Sequence, residues 1–329
     1  MASPLAAAVG AGDRPTLILI DGSSYVFRAY HAVPHLSNRK GVPTNAVYGF
    51  TNMLLKAMRE GKPTHLAVAF DRDGRTFRDD IDPNYKATRS ETPADLVPQF
   101  DLVRQVVAAL NVPVLEAPHV EADDVIGTVA VRAREKGFRV VVVTGDKDFM
   151  QLVQPDLLLF DSMRDRWTGP REVEEKLGVG PDRVIDLMSL TGDQVDNVAG
   201  VPGVGPKTAA QLLQQFGTLD ALLGRLDEVE RPKLREALRG SVDAIHKARA
   251  LVRIRLDVPV GVEPEALERR PANLAEVERL FTELEFTRLT RDLHAALGAA
   301  GAGPASAESL AATAPVAWAV PEVCAGAEA

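Results

Sequence analysis

The amino-acid sequence predicts an α/β fold, with a mainly parallel central sheet and helices on both of its faces, followed by a helical domain. Strand-like and helical patterns alternate in the first half of the chain, which is typical of a doubly wound sheet. The apolar runs lie at residues 16–20, 64–70, 139–143 and 157–160, and the helical patterns lie near 45–60, 95–110 and 121–136. Beyond about Pro170 the strand pattern fades, and short amphipathic helices separated by Gly and Pro continue to about Leu297.

These patterns divide the chain into an α/β domain at residues 16–175 and a helical domain at 176–297. Residues 1–12 are small and apolar but lack a basic start, so a disordered leader over 1–15 is favoured over a secretory signal. Ala, Gly, Pro, Ser and Glu dominate residues 298–329, a composition typical of a flexible linker or tail.

Composition excludes several classes of protein. The 329 residues are 46% hydrophobic and 26% charged, which is sufficient for ordinary globular cores. The single cysteine, Cys324, leaves no disulfide and no cysteine-based zinc site, as expected in the reducing cytoplasm. No apolar stretch approaches the roughly 20 residues that a membrane-spanning helix needs.

The net charge of -8 is distributed unevenly. Residues 1–255 hold 34 acids and 33 bases, and nine of those acids belong to a candidate metal site. Without them the body of this region is positive by eight, which would attract a polyanion. Scattered, solvated Lys and Arg side chains are the alternative interpretation of the same charges.

Nine carboxylates lie at the ends of apolar runs or in short acidic motifs. They are Asp21, Asp71, Glu121, Asp123, Asp124, Asp146, Asp148, Asp193 and Asp196. Ligands of open α/β sheets gather where parallel strands end, and converging carboxylates repel one another unless cations lie between them. Oxygen ligands suit Mg²⁺ or Mn²⁺ rather than zinc, so the pattern predicts a divalent-metal site.

Each acidic motif also has a purely structural interpretation. The motif at residues 121–124 begins a helix, where acids are favoured as N-terminal caps. Thr-Gly-Asp-Lys-Asp at 144–148 is compatible with a simple turn, and the three-residue spacing of Asp193 and Asp196 is compatible with one helical turn. Together, however, the nine acids match the inventory that two ions about 3.5–4 Å apart need to cleave a phosphodiester.

Two further segments favour nucleic acid as the ligand. Gly200-Val-Pro-Gly-Val-Gly-Pro-Lys-Thr-Ala lies between helical patterns, so residues 183–216 predict a helix-hairpin-helix whose amides hold a backbone phosphate. An ordinary helical corner is the alternative. Cationic and aromatic side chains are interleaved in residues 72–92, the combination expected where single-stranded nucleic acid passes; a mobile loop of mixed charge is the alternative there.

The motifs together resemble the 5′ nuclease domain of bacterial DNA polymerase I, a PIN-like member of the flap endonuclease superfamily. The matching segments are Leu-Ile-Asp-Gly-Ser-Ser-Tyr-Val-Phe-Arg-Ala-Tyr-His-Ala (19–32), Val-Glu-Ala-Asp-Asp-Val-Ile-Gly-Thr (120–128), Thr-Gly-Asp-Lys-Asp (144–148), Gly-Asp-Gln-Val-Asp-Asn (192–197) and the hairpin at 200–209. They are collinear over about residues 16–295.

The resemblance implies a Mg²⁺-dependent enzyme, with Mn²⁺ as a substitute, that removes 5′ ends and flaps, including RNA primers. It implies one metal position served by Asp21, Asp71, Glu121, Asp123 and Asp124. Asp146, Asp148, Asp193 and Asp196 would serve a second position or orient the waters of its ion. It also implies a helical arch near 72–95, whose Lys86 and Arg89 contact the scissile phosphate, and a K⁺ ion at the hairpin. The DNA contacts that it implies are Arg28, Arg78, Tyr85, Lys86, Arg89, Gly203, Gly205, Lys207 and Thr208.

The linker-like end favours the N-terminal part of a polymerase over a free-standing exonuclease, in either case a cytoplasmic monomer. A haloacid dehalogenase-like phosphatase is a rival, since Asp71-Arg72-Asp73-Gly74 resembles its nucleophile motif, but it leaves Asp21 and residues 121–124 unexplained. A non-catalytic DNA-binding module is the other rival, and it would not need nine acids beside a polyanion.

Overall fold

The computed structural model describes residues 14–300, which form a six-stranded sheet flanked by helices on both faces. The strand order is β3-β2-β1-β4-β5-β6, and all neighbouring pairs are parallel except β5 with β6. The strands are β1 (Thr16–Asp21), β2 (His65–Ala69), β3 (Val114–Leu115), β4 (Arg139–Val143), β5 (Leu157–Asp161) and β6 (Arg166–Thr168). The predicted doubly wound fold is confirmed.

Helices connect the strands and dominate the second half of the chain. The first five are α1 (Gly22–Ala32), α2 (Asn45–Gly61), α3 (Phe77–Ile81), α4 (Val97–Ala109) and α5 (Ala122–Glu135). The later ones are α6 (Pro170–Leu177), α7 (Val184–Thr191), α8 (Pro206–Phe216), α9 (Leu219–Gly224), α10 (Pro232–Gly240), α11 (Val242–Val252), α12 (Leu274–Glu283) and α13 (Thr287–Ala300). Four 3₁₀ turns lie at Asp148–Leu152, Pro181–Arg183, Leu226–Glu228 and Pro264–Leu267. None of the helices between residues 14 and 300 is long and apolar enough to cross a membrane.

The central strand β1 divides the interior into two cores because successive side chains point to opposite faces of the sheet. Leu17 and Leu19 pack in the core that contains α5, whereas Ile18 and Ile20 pack in the core that contains α1, α2 and α4. All four side chains are almost fully buried, and burying one such side chain stabilises the fold by about 1.5–3 kcal/mol.

The predicted helical domain is divided between these two cores. Helices α7 to α11 extend the core on the α5 side of the sheet, while α12 and α13 pack on the opposite face beside α2 and α4. The predicted boundary at residue 175 falls within α6. Residues 1–13 of the predicted leader and 301–329 of the predicted tail lie outside the described residues, and the tail's first residues, 298–300, belong to α13.

Candidate metal centre and nucleic-acid interface

Three adjacent strand ends bring acids to one edge of the sheet. Asp21 is the last residue of β1, which lies between β2 and β4. Asp71 follows the end of β2 by two residues, and Asp146 follows the end of β4 by three. Because these strands are parallel, their carboxyl ends meet at the same edge. The convergence predicted from the sequence is therefore present in the fold.

Asp21 lies at the centre of this edge and is almost fully buried. Its carboxylate accepts hydrogen bonds from the Ser24 amide at 3.1 Å and from the Thr144 hydroxyl at 2.9 Å. Burial, with the nearby charges of Asp146 and Asp71, raises its pKa from 3.8 to about 7. The folded chain therefore disfavours the charge that this carboxylate would carry as a metal ligand.

Asp148 and Asp123 lie in the same electrostatic environment. One carboxylate oxygen of Asp148, Oδ1, is buried without a hydrogen-bond partner among the described residues. Burial and the charges of Asp146 and Asp193 raise the pKa of Asp148 well above its usual range, and burial with Asp21 and Asp146 does the same for the pKa of Asp123. Buried carboxylate oxygens without donors are the kind of group that a bound cation satisfies.

We call Asp21, Asp71, Asp123, Asp146 and Asp148 the open acids. Among residues 14–300, the ion pairs of Lys, Arg and His are made with other acids, and none joins an open acid. Three of the open acids, Asp21, Asp71 and Asp146, instead accept hydrogen bonds from amides or from the Thr144 hydroxyl, for example from Ala122 to Asp71 at 2.9 Å and from Asp148 to Asp146 at 2.9 Å. This donor set fits Mg²⁺ or Mn²⁺ chemically. Within the described residues, however, no three acids are already grouped as ligands of a single ion.

The remaining four candidates, Glu121, Asp124, Asp193 and Asp196, are the paired acids, because each forms an ion pair with a Lys or Arg. Lys86 Nζ lies 2.5 Å from Glu121, Arg89 lies 2.6 Å from Asp196, and Lys147 Nζ lies 2.8 Å from Asp193. At Asp193, burial opposes ionisation, but the hydrogen bond and the charge of Lys147, together with the amides of Val195 and Asp196, outweigh it and lower the pKa. The chain itself supplies the positive charge beside these acids.

Asp124 lies in a buried ion pair with Arg78. It is fully buried, and Arg78, only 3% exposed, donates to both of its oxygens at 2.7 and 2.9 Å. Arg78 also donates to the carbonyls of Leu251 and Arg253. In this structure Asp124 and Arg78 therefore satisfy each other, and the roles of Asp124 as a metal ligand and of Arg78 as a DNA contact stay predictions. The apolar surroundings bury both charges, and each is satisfied by the other rather than by an external ligand.

The capping interpretation of residues 121–124 is correct for Asp124. Its Oδ2 accepts the amide of Glu121 at 3.1 Å, at the N-terminus of α5. Asp123, between them, has no such role and belongs to the open acids. A single four-residue motif thus holds one acid with a structural function and another that is not paired with a cation of the described chain.

The predicted helical arch is mostly not helical. Of residues 72–95, only 77–81 form an α-helix, and residues 83–88 form successive turns. This segment is closed onto the acids and the helical part: the Lys86 amide donates to the Asp196 carbonyl at 3.0 Å, and Lys247 Nζ lies 2.6 Å from Asp82. Tyr85 is 8% exposed, and its hydroxyl lies 3.3 Å from a Glu121 oxygen and 3.1 Å from an Asp196 oxygen. The attraction between cations of the segment and the paired acids accounts for this closure.

Asp193 and Asp196 lie in a tight hairpin rather than in the helical turn that their spacing suggested. The backbones of Asp193 and Val198 pair in both directions, at 2.9 and 2.7 Å. Gly192 and Gly200 allow this hairpin to pack against the end of α7, since a Cβ on Gly200 would lie 2.2 Å from the Thr191 carbonyl oxygen. Both acids are thereby directed at cations, Lys147 and Arg89.

The predicted helix-hairpin-helix is present as α7, residues 192–205 and α8. Gly203 has a φ of +77°, and a Cβ on Gly203 or Gly205 would meet no atom within 4 Å among the described residues, so the hairpin backbone is open to a close ligand. Lys207 is exposed and Thr208 half-buried in the first turn of α8, where helix amides have no partner within the helix. The geometry is suitable for a phosphate.

Arg28 lies beside the acid-bearing edge rather than on the open surface. Its Nη2 donates to Asp161 at 2.7 Å, and its Nη1 is buried without a hydrogen-bond partner in the described part of the chain. The guanidinium occupies the space that a Cβ on Gly145 would need. DNA contact by Arg28 therefore stays a prediction.

Sequence reasoning missed the partners of the acids. The motif at 144–148 pointed only to its two acids, yet Thr144 and Lys147 contact Asp21 and Asp193. Thr144 and Lys147 belong to the motif Thr-Gly-Asp-Lys-Asp, and this position beside two candidate acids was the one sequence signal that could have identified them. Gln151, which bonds the backbone at Val252 and Ile254, had no sequence signal.

Comparisons with known proteins match both the α/β part and the helical part of the chain. The family model described as "5'-3' exonuclease, N-terminal resolvase-like domain" matches residues 16–178, and "5'-3' exonuclease, C-terminal SAM fold" matches residues 179–275. A DNA polymerase I from Rhizobium leguminosarum is 47% identical over 283 residues, which are 84% of this chain and 28% of that relative. The chain thus spans less than a third of the length of this relative.

Two solved structures have a similar fold. A bacteriophage T5 flap endonuclease in a pseudo-enzyme-product complex with DNA and metal ions matches with a TM-score of 0.62 and 19% identity, covering 86% of this chain and 99% of that chain. The catalytic core of Rad2 in complex with DNA substrate matches with a TM-score of 0.56 and 15% identity, covering 85% of this chain and 89% of that one.

Proposed function

The chain belongs to the 5′-3′ exonuclease family, and on that premise we propose that it hydrolyses phosphodiester bonds at 5′ ends and 5′ flaps of DNA with bound Mg²⁺. Mn²⁺ would substitute for Mg²⁺. The family assignment replaces the phosphatase interpretation of Asp71 and Asp73 and the interpretation as a non-catalytic module.

One observation carries the proposal: five acids converge on the sheet edge, and within the described residues no cation of the chain pairs with them. The raised pKa values of Asp21, Asp123 and Asp148 show that the fold keeps these acids together at an electrostatic cost. Bound divalent ions would offset that repulsion, lower the pKa of an attacking water and neutralise the charge that develops at the phosphate.

The cations on the paired acids have a second role in this proposal. Lys86 and Arg89 lie at the border of the acid cluster, held by Glu121 and Asp196. In the substrate complex they would exchange these carboxylates for the scissile phosphate, and Glu121 and Asp196 would become available as ligands. The exchange conserves local charge balance, because each cation moves from one anion to another.

The helix-hairpin-helix would hold the duplex beside the cleaved strand. Its open glycines and the amides at the start of α8 would receive a backbone phosphate, with Lys207 adding charge. We also propose a K⁺ ion at this hairpin and RNA primers on DNA as substrates. Contacts with backbone phosphates do not depend on base sequence, so the enzyme would select its substrate by the structure of the DNA rather than by its sequence.

We further propose that this region acts as the N-terminal part of a DNA polymerase I in the cytoplasm, functioning as a monomer. The identity to DNA polymerase I relatives supports this larger context. A free-standing exonuclease of the same family is the alternative.

The decisive experiment uses a labelled 5′-flap duplex and a closed single-stranded circle, each with Mg²⁺ or EDTA. We expect flap cleavage that requires Mg²⁺, with the circle intact because it offers no 5′ end. Absence of Mg²⁺-dependent cleavage of the flap would rule out the proposed activity, and cutting of the circle would show a different nuclease specificity.

A further inference from the structure

Residues 251–258 comprise the last two residues of α11 and the six that follow it, and they run along α5 and past the 3₁₀ turn at 148–152. We call this segment the brace. The brace contacts two elements that each carry an open acid. One is the start of α5, which holds Asp123, and the other is the 3₁₀ turn that begins at Asp148. No motif in the sequence marks it.

On the α5 side, the contact is made through the Arg78–Asp124 pair. Asp124 Oδ1 accepts the Arg255 amide at 2.8 Å, while Arg78 donates to the carbonyls of Leu251 and Arg253 at 2.8 and 2.9 Å. Both partners of the pair are thus bonded to the brace. Since Asp124 also caps Glu121, the backbone on either side of Asp123 is held to the brace by charge-assisted hydrogen bonds.

On the other side, a single side-chain amide makes the contact. Gln151 donates to the Val252 carbonyl at 3.0 Å and accepts the Ile254 amide at 3.0 Å. Its nitrogen also donates to the carbonyl of Asp148 at 2.9 Å. Gln151 therefore joins the brace directly to the backbone of an open acid.

Packing prevents the brace from sliding along α5. A Cβ on Gly127 would lie 2.5 Å from Ile254 Cγ2, so the Ile254 side chain packs directly against the backbone of α5 at a place where only glycine leaves room. One turn below Asp124, Thr128 donates to the Arg255 carbonyl and accepts the Val258 amide. If the brace shifted by one residue along α5, it would lose its hydrogen bonds to Thr128 and to Asp124 together.

We propose that the brace positions Asp123 and Asp148 relative to each other, with Arg78, Asp124 and Gln151 as positioning residues. Both acids are repelled by neighbouring carboxylates, Asp146 among them in each case, so an opposing constraint is needed to hold them in place before an ion binds. Because the brace continues from α11, it also connects the helical part to the acids. This inference deepens the proposed metal-dependent function and rests on it.

The test compares Gln151→Met and Asp124→Asn with the control Arg132→Lys. Gln151→Met keeps side-chain size but removes both bonds to the brace. Arg132 lies on α5 two turns beyond Asp124 and donates to the carbonyls of Val258 and Val260, so its loss weakens the same packing away from the acids. Gln151→Met carries the test if Asp124→Asn fails to fold.

The readout is Mn²⁺ affinity of the DNA-free protein, measured by the loss of the free-ion EPR signal, with the melting temperature recorded in EDTA. We expect Gln151→Met to weaken Mn²⁺ binding by about 10- to 100-fold, the range typical of residues that orient metal ligands. Arg132→Lys should lower only the melting temperature.

Two outcomes contradict the proposal in different ways. If Gln151→Met binds Mn²⁺ as the wild type does, and only its melting temperature falls, the brace is merely structural and the nuclease proposal stands. If the wild type neither binds Mn²⁺ nor cleaves the flap, the proposed function fails, and the inference about the brace fails with it.

Discussion

The open acids and the paired acids differ in where their counter-charge comes from. The open acids lie at the carboxyl edge of the sheet without a cation partner among the described residues, and burial raises the pKa of Asp21, Asp123 and Asp148. The paired acids lie at the start of α5 and in the hairpin at 193–198, and each has its own Lys or Arg. The sequence shows nine similar acids, but the fold divides them into two electrostatic classes, one without and one with a cation of the described chain as partner.

This difference separates functional from structural acids. Breaking a buried ion pair leaves an uncompensated charge, so the pair at Asp124 contributes to folding whether or not metal is present. Removing the open acid Asp123 instead relieves repulsion from Asp21 and Asp146 in the metal-free protein, so the substitution harms mainly what the ion does. Substitutions in the two classes should consequently change stability in opposite directions.

The largest expected effect is on turnover. Asp146→Asn should lower the rate of flap cleavage by about two to four orders of magnitude, since charge stabilisation by a bound ion is worth several kcal/mol. Single-turnover assays at saturating DNA measure it. Asp73→Asn, at an exposed acid near Asp71, is the control, and a comparable loss there would revive a site built on Asp71 and Asp73.

The second effect is on stability. Asp124→Ala should lower the free energy of unfolding by about 3–5 kcal/mol, because it leaves the Arg78 guanidinium buried and unpaired. Asp123→Ala should instead leave the metal-free protein as stable or more stable, since it removes repulsion from Asp21 and Asp146. Urea unfolding in EDTA measures both. Equal destabilisation by the two changes would abolish the distinction between the classes.

The third effect concerns the cations that pair with acids. Lys86→Met should lower turnover by about 10²- to 10³-fold, the usual loss when a charge-stabilising donor is removed. Mn²⁺ affinity should not fall, because Glu121 loses its competing partner. Arg171→Met, at an exposed residue paired with Glu175, controls for the loss of positive charge. Weaker Mn²⁺ binding by Lys86→Met would contradict the proposed exchange of partners.

The fourth effect is a pH dependence of the metal-free protein. Asp21 has a pKa of about 7 in the fold against 3.8 ordinarily, so the folded state binds more protons than the unfolded state between these values. Stability should therefore fall as pH rises from about 4 to 7. Melting temperatures in EDTA across this range measure the slope, and Asp21→Asn should flatten it. An unchanged slope in that variant would assign the dependence to other groups.

The sequence predicted the sheet and the convergence of acids well, for physical reasons. Runs such as Val140 to Val143 are too apolar for an exposed strand, and parallel strands place the residues after their carboxyl ends at one edge of the sheet. The two-residue β3 and the edge strand β6 were missed because neither forms a long apolar run. Helix α1 was missed because it starts immediately after Asp21, whose side chain caps it.

The division of the nine acids could not be predicted from sequence. Asp123 and Asp124 are neighbours with the same chemistry, and only the fold brings Arg78 and the amide of Arg255 to one of them. The same holds for Lys86 and Arg89, which a resemblance assigns to a phosphate but which contact acids in this structure. Long-range partners decide the role of a charged residue more than its motif does.

Anomalous diffraction from crystals soaked in Mn²⁺ above pH 7, without DNA, tests most directly whether the open acids are the metal site. We expect anomalous peaks among the open acids, bordered by Asp21, Asp123, Asp146 and Asp148, and none at the Arg78–Asp124 pair. A crystal with no peak at the sheet edge, or with an ion bound to Asp124 in place of Arg78, would contradict the division into open and paired acids.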